Sequence, residues 1–388
     1  MAKRGIKETL LSTLTHGEEV LTNIEVMRRV NKDKITDKPV EFASKKIHPD
    51  MLKLVLNEVI DTKKGAKVLR FVSKDGYLPP FIAGQYINVI IEIDGCRTTR
   101  PYSLSSSPKQ RSYYEITVAK IKNGFVSDYL LNKLKVGDEI VANGPAGQFV
   151  YNSVFHKNKS LFLAGGSSIT PFMSMLRETL LTGENRDIVL LYGSRTLNTA
   201  IYHEELLELS KTFSNFKYYL VLSEKDPSWN GDFGFLDEKI IKKYAPDYLE
   251  RTAYVCGPTI MHDFCKDILL RLGLKQKDIR DEMFGASLDI TKEPGWPKDL
   301  NGTEVFKLKV GEKVIDAKAN ESILVALERA GIRVNVCCRC GQCSLCRVKL
   351  VSGKVFLSKG ILLRLADQKY GYIHSCKSYP ISDLEIEL

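Results

Sequence analysis

The spacing of hydrophobic positions passes through four regimes along the chain. In residues 1–48, Ile6, Leu10 and Leu14 recur at helical spacing, and after His16-Gly17 so do Val20, Ile24, Met27 and Val30. This predicts two short amphipathic helices and then a polar, Lys-rich linker: a helical N-terminal extension that packs on its own protein or serves as a docking arm. In residues 49–154 the apolar residues alternate in short runs: Leu52-Lys-Leu-Val-Leu, Val68-Leu-Arg-Phe-Val, Tyr86-Ile-Asn-Val-Ile-Ile-Glu-Ile and Tyr114-Glu-Ile-Thr-Val. Turns with Gly and Pro separate them, which predicts an antiparallel β-barrel.

Residues 155–288 read as strand and helix in alternation. Leu161-Phe-Leu-Ala is a buried strand, followed by a helix with Phe172, Met175, Leu176 and Leu180 inward, Thr170 as its N-cap and Pro171 as its first residue. Ile188-Val-Leu-Leu-Tyr and Ala253-Tyr-Val-Cys256 are further strands of an α/β domain. Residues 289–302, with Pro294-Gly-Trp-Pro-Lys-Asp-Leu-Asn-Gly302, have the composition of a linker. In residues 303–388, Val305-Phe-Lys-Leu-Lys-Val and Glu312-Lys-Val-Ile form a hairpin. A helix over 321–330 follows, with Asn320 as cap and Gly331 at its end, then the strand Arg347-Val-Lys-Leu-Val and the segment Ile373-His-Ser-Cys376.

At 388 residues the chain fits two to four domains, and 44% apolar with 27% charged residues describes a globular protein. No apolar run approaches the roughly 20 residues of a membrane span. The start is basic but lacks an apolar core and cleavage site, so a cytoplasmic, reducing location is expected. The formal charge of +10 raises the question of nucleic acid. Lys and Arg are spread along the whole chain, with no basic stripe interleaved with aromatics. The charge therefore points to a solvated surface or to a protein partner that is acidic at its docking surface.

The cysteines change the picture most. Five of nine fall in residues 337–346, Cys-Cys-Arg-Cys-Gly-Gln-Cys-Ser-Leu-Cys. Cys338, Cys343 and Cys346 have C-x4-C-x2-C spacing and Cys376 supplies a distant fourth thiolate, the ligand pattern of a plant-type [2Fe–2S] cluster. Arg339, Gly341 and Ser344 suit a loop that must curl and aim N–H groups at sulfur. A structural zinc site would show a second C-x2-C or Cys/His pair, which is missing. An odd cysteine count without a secretory signal argues against disulfides. Cys337 and Cys340 are left over as small loop residues. The C-terminal segment thus looks like a plant-type ferredoxin, a β-grasp domain.

Two further stretches carry anion and ring chemistry. In Arg100-Pro101-Tyr102-Ser103 a guanidinium can pair with a pyrophosphate, a phenol can lie against a heterocycle, and a hydroxyl can bond its edge. Gly124-Phe125-Val126-Ser127 opens a helix (Val126, Leu130, Leu134) whose free N–H groups suit the same anion. Gly165-Gly166-Ser167-Ser168-Ile169-Thr170-Pro171, between strand and helix, has the geometry for a dinucleotide diphosphate, although G-x-G-x-x-G is absent. Gly193-Ser194-Arg195 ends a second strand, and Cys256-Gly257-Pro258-Thr259-Ile260-Met261 ends a third.

With Pro80-Phe-Ile-Ala-Gly-Gln-Tyr before them and Gly144-Pro-Ala-Gly147-Gln-Phe after, these motifs resemble those of the ferredoxin–NADP reductase superfamily. The resemblance covers residues from about 50 to 388 and is closest to reductases with a C-terminal ferredoxin. It implies that Arg100 holds the flavin diphosphate, Tyr102 stacks on the isoalloxazine, and Ser103 lies near N5. Gly124, Phe125, Val126 and Ser127 then meet the phosphates. Gly165, Gly166, Thr170, Pro171, Ser194, Arg195, Cys256, Gly257, Pro258 and Met261 are implied to bind the nucleotide. Cys256 lies close to the nicotinamide, and Glu282 and Phe284, in Arg280-Asp281-Glu282-Met283-Phe284-Gly285, lie at the flavin face. Ser168 stands where the superfamily has Gly, a change tolerated if φ there is negative.

The resemblance implies FAD rather than FMN, a [2Fe–2S] cluster, and NADPH or NADH. No acidic residue follows the Leu191 strand to grip a ribose 2′-OH, while Ser194 and Arg195 can meet a 2′-phosphate, which tilts the choice to NADPH. The expected function is an NAD(P)H-dependent reductase that passes electrons through flavin and cluster to a redox partner protein such as an oxygenase. The alternatives are a self-sufficient reductase of a quinone, ferric chelate or oxygen, ferredoxin-linked reduction of NAD(P)+, and a redox sensor.

Overall fold

A computed structural model describes residues 13, 16–30, 44–45, 49–62, 64–121, 124–283 and 289–388. The chain divides into two compact units between Pro49 and Asp50. In the first, helix α1 (Gly17–Val30) carries Glu18 and Glu19 in its first turn, where they complement the helix dipole. Leu21 is buried and Val20 exposed, so the inward stripe falls one residue later than Val20 predicts. The expected helix through Ile6, Leu10 and Leu14, the Lys-rich linker, and the side chains of Met27 and Val30 lie outside the described residues.

The second unit begins with the antiparallel sheet read from the alternating runs. Its strands are β1 (Leu52–Asp61), β2 (Ala66–Ser73), β3 (Tyr86–Ile93), β4 (Cys96–Ser103), β5 (Tyr114–Ala119) and β6 (Glu139–Ala146), in the order β4-β3-β6-β1-β2-β5. The edges β4 and β5 meet at the bridge Leu104–Ile116, which curls the sheet into a barrel. Leu54, Leu56, Phe71, Ile87 and Val89 fill it, each buried side chain contributing roughly 1.5–3 kcal/mol. Helix α2 (Phe125–Asn132) closes one end with Val126 and Leu130; Leu134 is also buried but lies beyond the helix.

The next sheet is parallel throughout. It comprises β7 (Lys159–Gly165), β8 (Asp187–Ser194), β9 (Phe216–Leu222), β10 (Asp232–Phe233), β11 (Thr252–Cys256) and β12 (Ile279–Glu282), ordered β10-β9-β8-β7-β11-β12. Helices α3 (Thr170–Leu181), α4 (His203–Thr212), α5 (Glu238–Tyr244) and α6 (Thr259–Arg271) accompany these strands. The order reverses between β7 and β11, where Ala164 pairs with Cys256, and such a switch point opens a ligand crevice. Phe172, Met175, Leu176 and Leu180 are buried, as their spacing predicts. Thr170 is the first residue of α3 rather than its cap; a 3-10 turn, Gly166–Ile169, precedes it and its hydroxyl bonds back to Ser167 O at 2.7 Å.

The C-terminal part holds β13 (Val305–Val310), β14 (Lys313–Lys318), β15 (Arg347–Ser352), β16 (Val355–Leu357), β17 (Tyr372–His374), β18 (Ser378–Pro380) and β19 (Leu384–Glu387). The main sheet is β14-β13-β19-β15-β17, crossed by α7 (Ile323–Arg329), while α8 (Leu365–Lys369) lies on its border. Helix α7 starts at Ile323 after Ser322, two residues later than 321. Glu321 lies outside the helix because its carboxylate takes the Lys318 N–H at 2.9 Å. The segment read as a linker is docked, not free: Trp296 and Ile290 pack with Ala319 and Tyr379 in a satellite core.

Candidate functional site

Strands β3 and β4 pair Tyr86 with Ser103, Ile87 with Tyr102 and Val89 with Arg100, so one hairpin carries the Arg-Pro-Tyr-Ser motif. Ser103 is buried and Tyr102 half-buried. Arg100 donates from Nη1 to Thr98 Oγ1 and Thr99 O, both at 2.7 Å. Its hydrogen-bond partners are thus neutral, and burial, then the charge of Arg339, pulls its pKa down to about 10. A half-buried cation without a bonded carboxylate fits an anionic diphosphate. Gly124 precedes α2 so closely that a Cβ there would lie 2.0 Å from Ser127 Oγ. Phe125 is exposed, and Val126 and Ser127 are buried.

The nucleotide-side residues converge on the switch point. Gly165 ends β7, and a Cβ there would lie 2.2 Å from Met261 Sδ and 3.0 Å from Pro258 Cδ. Gly166 takes φ 55° and its carbonyl accepts from Tyr192 Oη at 2.9 Å. The positive φ falls there and not at Ser168, which is why Ser is accommodated. Ser168 opposes, in a small way, the effect of burial on the Cys256 thiol. Burial raises that thiol well above the usual range, with Glu282 adding to the effect. Gly165, Gly166, Ser194, Arg195, Pro258 and Met261 line a cleft of about 490 Å3 whose wall, among the described residues, holds no carboxylate. Ser194 Oγ is occupied by Thr196 O and Thr199 Oγ1, so of the predicted pair Arg195, which is exposed, is the one open to a ligand.

Glu282 pairs with Cys256 across β11 and β12. It is buried, its Oε2 lacks a partner among the described residues, and burial, then the negative Cys338, pushes its pKa well up. Phe284 lies outside the described residues.

The cysteine loop curls through positive φ at Arg339 (53°), Gly341 (80°) and Ser344 (59°), the positions that its sequence singled out. The N–H groups of Cys340 and Cys343 reach Cys338 Sγ at 3.5 and 3.4 Å. Hydrogen bonds from the Cys340 and Cys343 thiols outweigh burial and lower the Cys338 pKa to about 2. Cys346 O accepts both N–H and Oγ of Ser375, at 3.0 and 2.8 Å, which brings Cys376 to the loop. The Cys376 thiol in turn lowers Cys346. Among the described residues no three His, Cys, Asp or Glu side chains are set around a single ion. A [2Fe–2S] cluster asks for something else, two thiolates on each iron, and the near pairs Cys338/Cys343 and Cys346/Cys376 fit that. Cys337, left over by spacing, is buried with its thiol against Tyr86 and Asn88, a link that no local motif signals.

Sequence families match the three parts in turn: an oxidoreductase FAD-binding domain over residues 54–151, an oxidoreductase NAD-binding domain over 162–267, and a 2Fe-2S iron-sulfur cluster binding domain over 307–380. The glycine betaine monooxygenase reductase subunit of Chromohalobacter salexigens is 30% identical over 85% of this chain and 93% of its own length. The chain belongs to this family of flavin- and [2Fe–2S]-dependent reductases. The stachydrine N-demethylase reductase subunit Stc4 of Rhizobium meliloti is 28% identical over 82% of the chain and 91% of its own. A solved phthalate dioxygenase reductase, described as a modular structure for electron transfer from pyridine nucleotides to [2Fe–2S], superposes with TM-score 0.66 at 25% identity, covering 87% and 98%. The reductase therefore combines a flavin barrel, an NAD(P)H-binding α/β domain and a [2Fe–2S] domain, and it is an NAD(P)H oxidoreductase. Among the described residues no helix is long and apolar enough to cross a membrane.

Proposed function

We propose that the reductase supplies single electrons to an oxygenase-type protein partner in a reducing cytoplasm, using NADPH, FAD and a cluster held by Cys338, Cys343, Cys346 and Cys376. The observation that carries this is the position of the β3–β4 hairpin. Tyr86, paired with Ser103, touches Cys337 beside the cluster loop, and buried Glu282, set against Cys256 of the nucleotide crevice, feels the charge of Cys338. The +10 charge supports an acidic docking face on the partner.

When bound, the flavin converts two-electron hydride chemistry to the one-electron chemistry of the cluster. The chain's own residues arrange this. Arg100 and the Gly124 turn hold the diphosphate, and Tyr102 and Ser103 orient the ring system. Gly165, Gly257 and Pro258 let the nicotinamide approach Cys256, beside which Glu282 is buried. FAD is favoured over FMN by the matching FAD-binding family. A second cleft, of about 550 Å3 and lined by Lys120, Ser167 and Arg195, adds room and positive charge for an adenylate end; Lys64, also in its lining, is paired with Glu204 at 3.1 Å.

For the nucleotide, Arg195 in a cleft with no carboxylate among its described lining favours a 2′-phosphate. Anaerobic reduction with NADPH and NADH in parallel is expected to favour NADPH. In Arg195→Leu the KM for NADPH should rise about tenfold, the low end for a charged hydrogen bond because the site is exposed, with NADH little changed. A wild-type preference for NADH, or equal losses with both, would contradict the assignment.

A further inference from the structure

The cluster loop is tied to the flavin-motif hairpin at two points. Arg339 and Cys337 flank Cys338 on either side. Arg339, buried, donates from Nη1 to Glu328 Oε1 at 2.6 Å and from Nη2 to Oε2 at 3.0 Å. Glu328 lies on α7, outside the loop, and its Oε2 also accepts from Thr98 Oγ1 on β4 at 3.0 Å. Thr98 Oγ1 accepts in turn from Arg100 Nη1. On the other side, Tyr86 Oη and Asn88 Nδ2 of β3 lie 3.2 and 3.1 Å from Cys337 Sγ. Strand pairing sets Tyr86 against Ser103, Asn88 against Pro101 and Ile91 against Thr98, so both ties land on the hairpin that carries Arg100, Tyr102 and Ser103.

A bidentate guanidinium–carboxylate pair fixes distance and orientation together. Buried as it is, such a pair adds little net stability, and its use here is geometric. Thr98 is 2% exposed and Glu328 9%, so water does not substitute for either partner. Electron passage between two carriers depends on their separation, and an ångström of misplacement is costly to a positioned reaction.

We propose that Glu328 and Thr98 are positioning residues for electron transfer from flavin to cluster, the Arg339–Glu328–Thr98 bridge fixing the cluster loop on the flavin hairpin. This rests on the electron route proposed above. In each passage one electron leaves the reduced flavin and enters the oxidised cluster. Two passages and the release of one proton to solvent restore the oxidised flavin for every hydride taken from the nucleotide.

The test uses the full-length holoprotein, mixed rapidly and anaerobically with NADPH while flavin and cluster absorbance are followed separately. Thr98→Val removes the barrel-side hydroxyl without touching the loop, Arg100 keeps its bond to Thr99 O, and rates are compared on protein of equal flavin content. The variant is expected to leave flavin reduction unchanged and to slow cluster reduction about tenfold or more, with the EPR spectrum and potential of the cluster unaltered. Glu328→Gln should slow the same step, and Thr98→Ser, which restores a hydroxyl, should recover it. Cluster reduction at the wild-type rate in Thr98→Val would overturn the bridge alone. So would slowing that is accounted for by a changed cluster potential. A wild-type protein whose cluster is never reduced by nucleotide would overturn the route as well.

Discussion

Replacement of Cys346 by alanine is expected to yield a protein that still moves hydride from NAD(P)H into its flavin but no longer holds its cluster. Cys346 is 1% exposed, and its carbonyl, which alanine keeps, anchors Ser375 through two hydrogen bonds, so the variant removes the proposed thiolate while leaving Cys376 at the loop. A cluster needs all four thiolates, and an alanine here leaves one iron with a single protein ligand. Iron and acid-labile sulfide should fall to background, and reduction of one-electron protein acceptors with them. Reduction of ferricyanide, which takes electrons directly from flavin, should persist. Cys340→Ala is the discriminating partner. Its thiol is buried in the same loop, but its contact with Cys338 Sγ is also made by the main-chain N–H, which alanine keeps. Cys340→Ala should retain iron, sulfide and the EPR signal. Full cluster content in Cys346→Ala, or its loss in Cys340→Ala, would reject the ligand set.

The second large effect is on stability. Glu115 on β5 is 1% exposed and accepts from Arg70 Nε at 2.8 Å, Ser105 Oγ at 2.8 Å and Arg177 Nη1 at 2.5 Å. Arg177 belongs to α3, so this carboxylate joins the flavin barrel to the nucleotide domain. Burial alone would raise the Glu115 pKa, but the charge of Arg177 and the hydrogen bonds from Arg70, Arg177 and Ser105 outweigh it and hold the pKa below the usual range. Glu115→Ala is expected to cost about 3 kcal/mol, the low end for breaking a buried pair, because Arg70 keeps Glu58 and Arg177 keeps Glu205. Glu205→Ala, at a 37% exposed carboxylate, should cost less than about 1 kcal/mol. Denaturant unfolding of the two variants decides, and equal losses would contradict the account. The pH dependence has a definite sign. A depressed carboxyl pKa gives stability that is fully present above the unfolded value, about 4.3, and is lost as pH falls through the lower folded value. The gap between wild type and Glu115→Ala should therefore narrow on acidification below about pH 4.

What the sequence disclosed and what it withheld divide by the range of the contacts. The alternating runs of the barrel, the inward face Phe172-Met175-Leu176-Leu180 and the cysteine spacing are local patterns, and each element stands where its pattern placed it. Local competition moved the boundaries: Glu321 bonds Lys318 N–H rather than extending α7, and Thr170 enters α3 because a 3-10 turn precedes it. The linker composition around Trp296 concealed a docked segment, since Gly and Pro specify turns but not whether the turns are buried. Arg195 kept its place in the cleft, whereas Ser194 turned inward to Thr199. The ties that join the parts were not legible at all. Glu115 with Arg177, Glu328 with Thr98 and Cys337 with Tyr86 are pairs from distant segments, and no spacing rule connects them.

Anaerobic titration with NADPH is the decisive test of the proposed electron path from nucleotide through flavin to a four-cysteine cluster. Visible absorbance and EPR would be read on the same samples. Flavin bands and iron–sulfur absorbance that bleach in stages, a reduced-cluster EPR signal, and about two irons and two sulfides per flavin are expected. A protein with flavin that bleaches but with no iron or sulfide, and zinc in their place, would contradict that path.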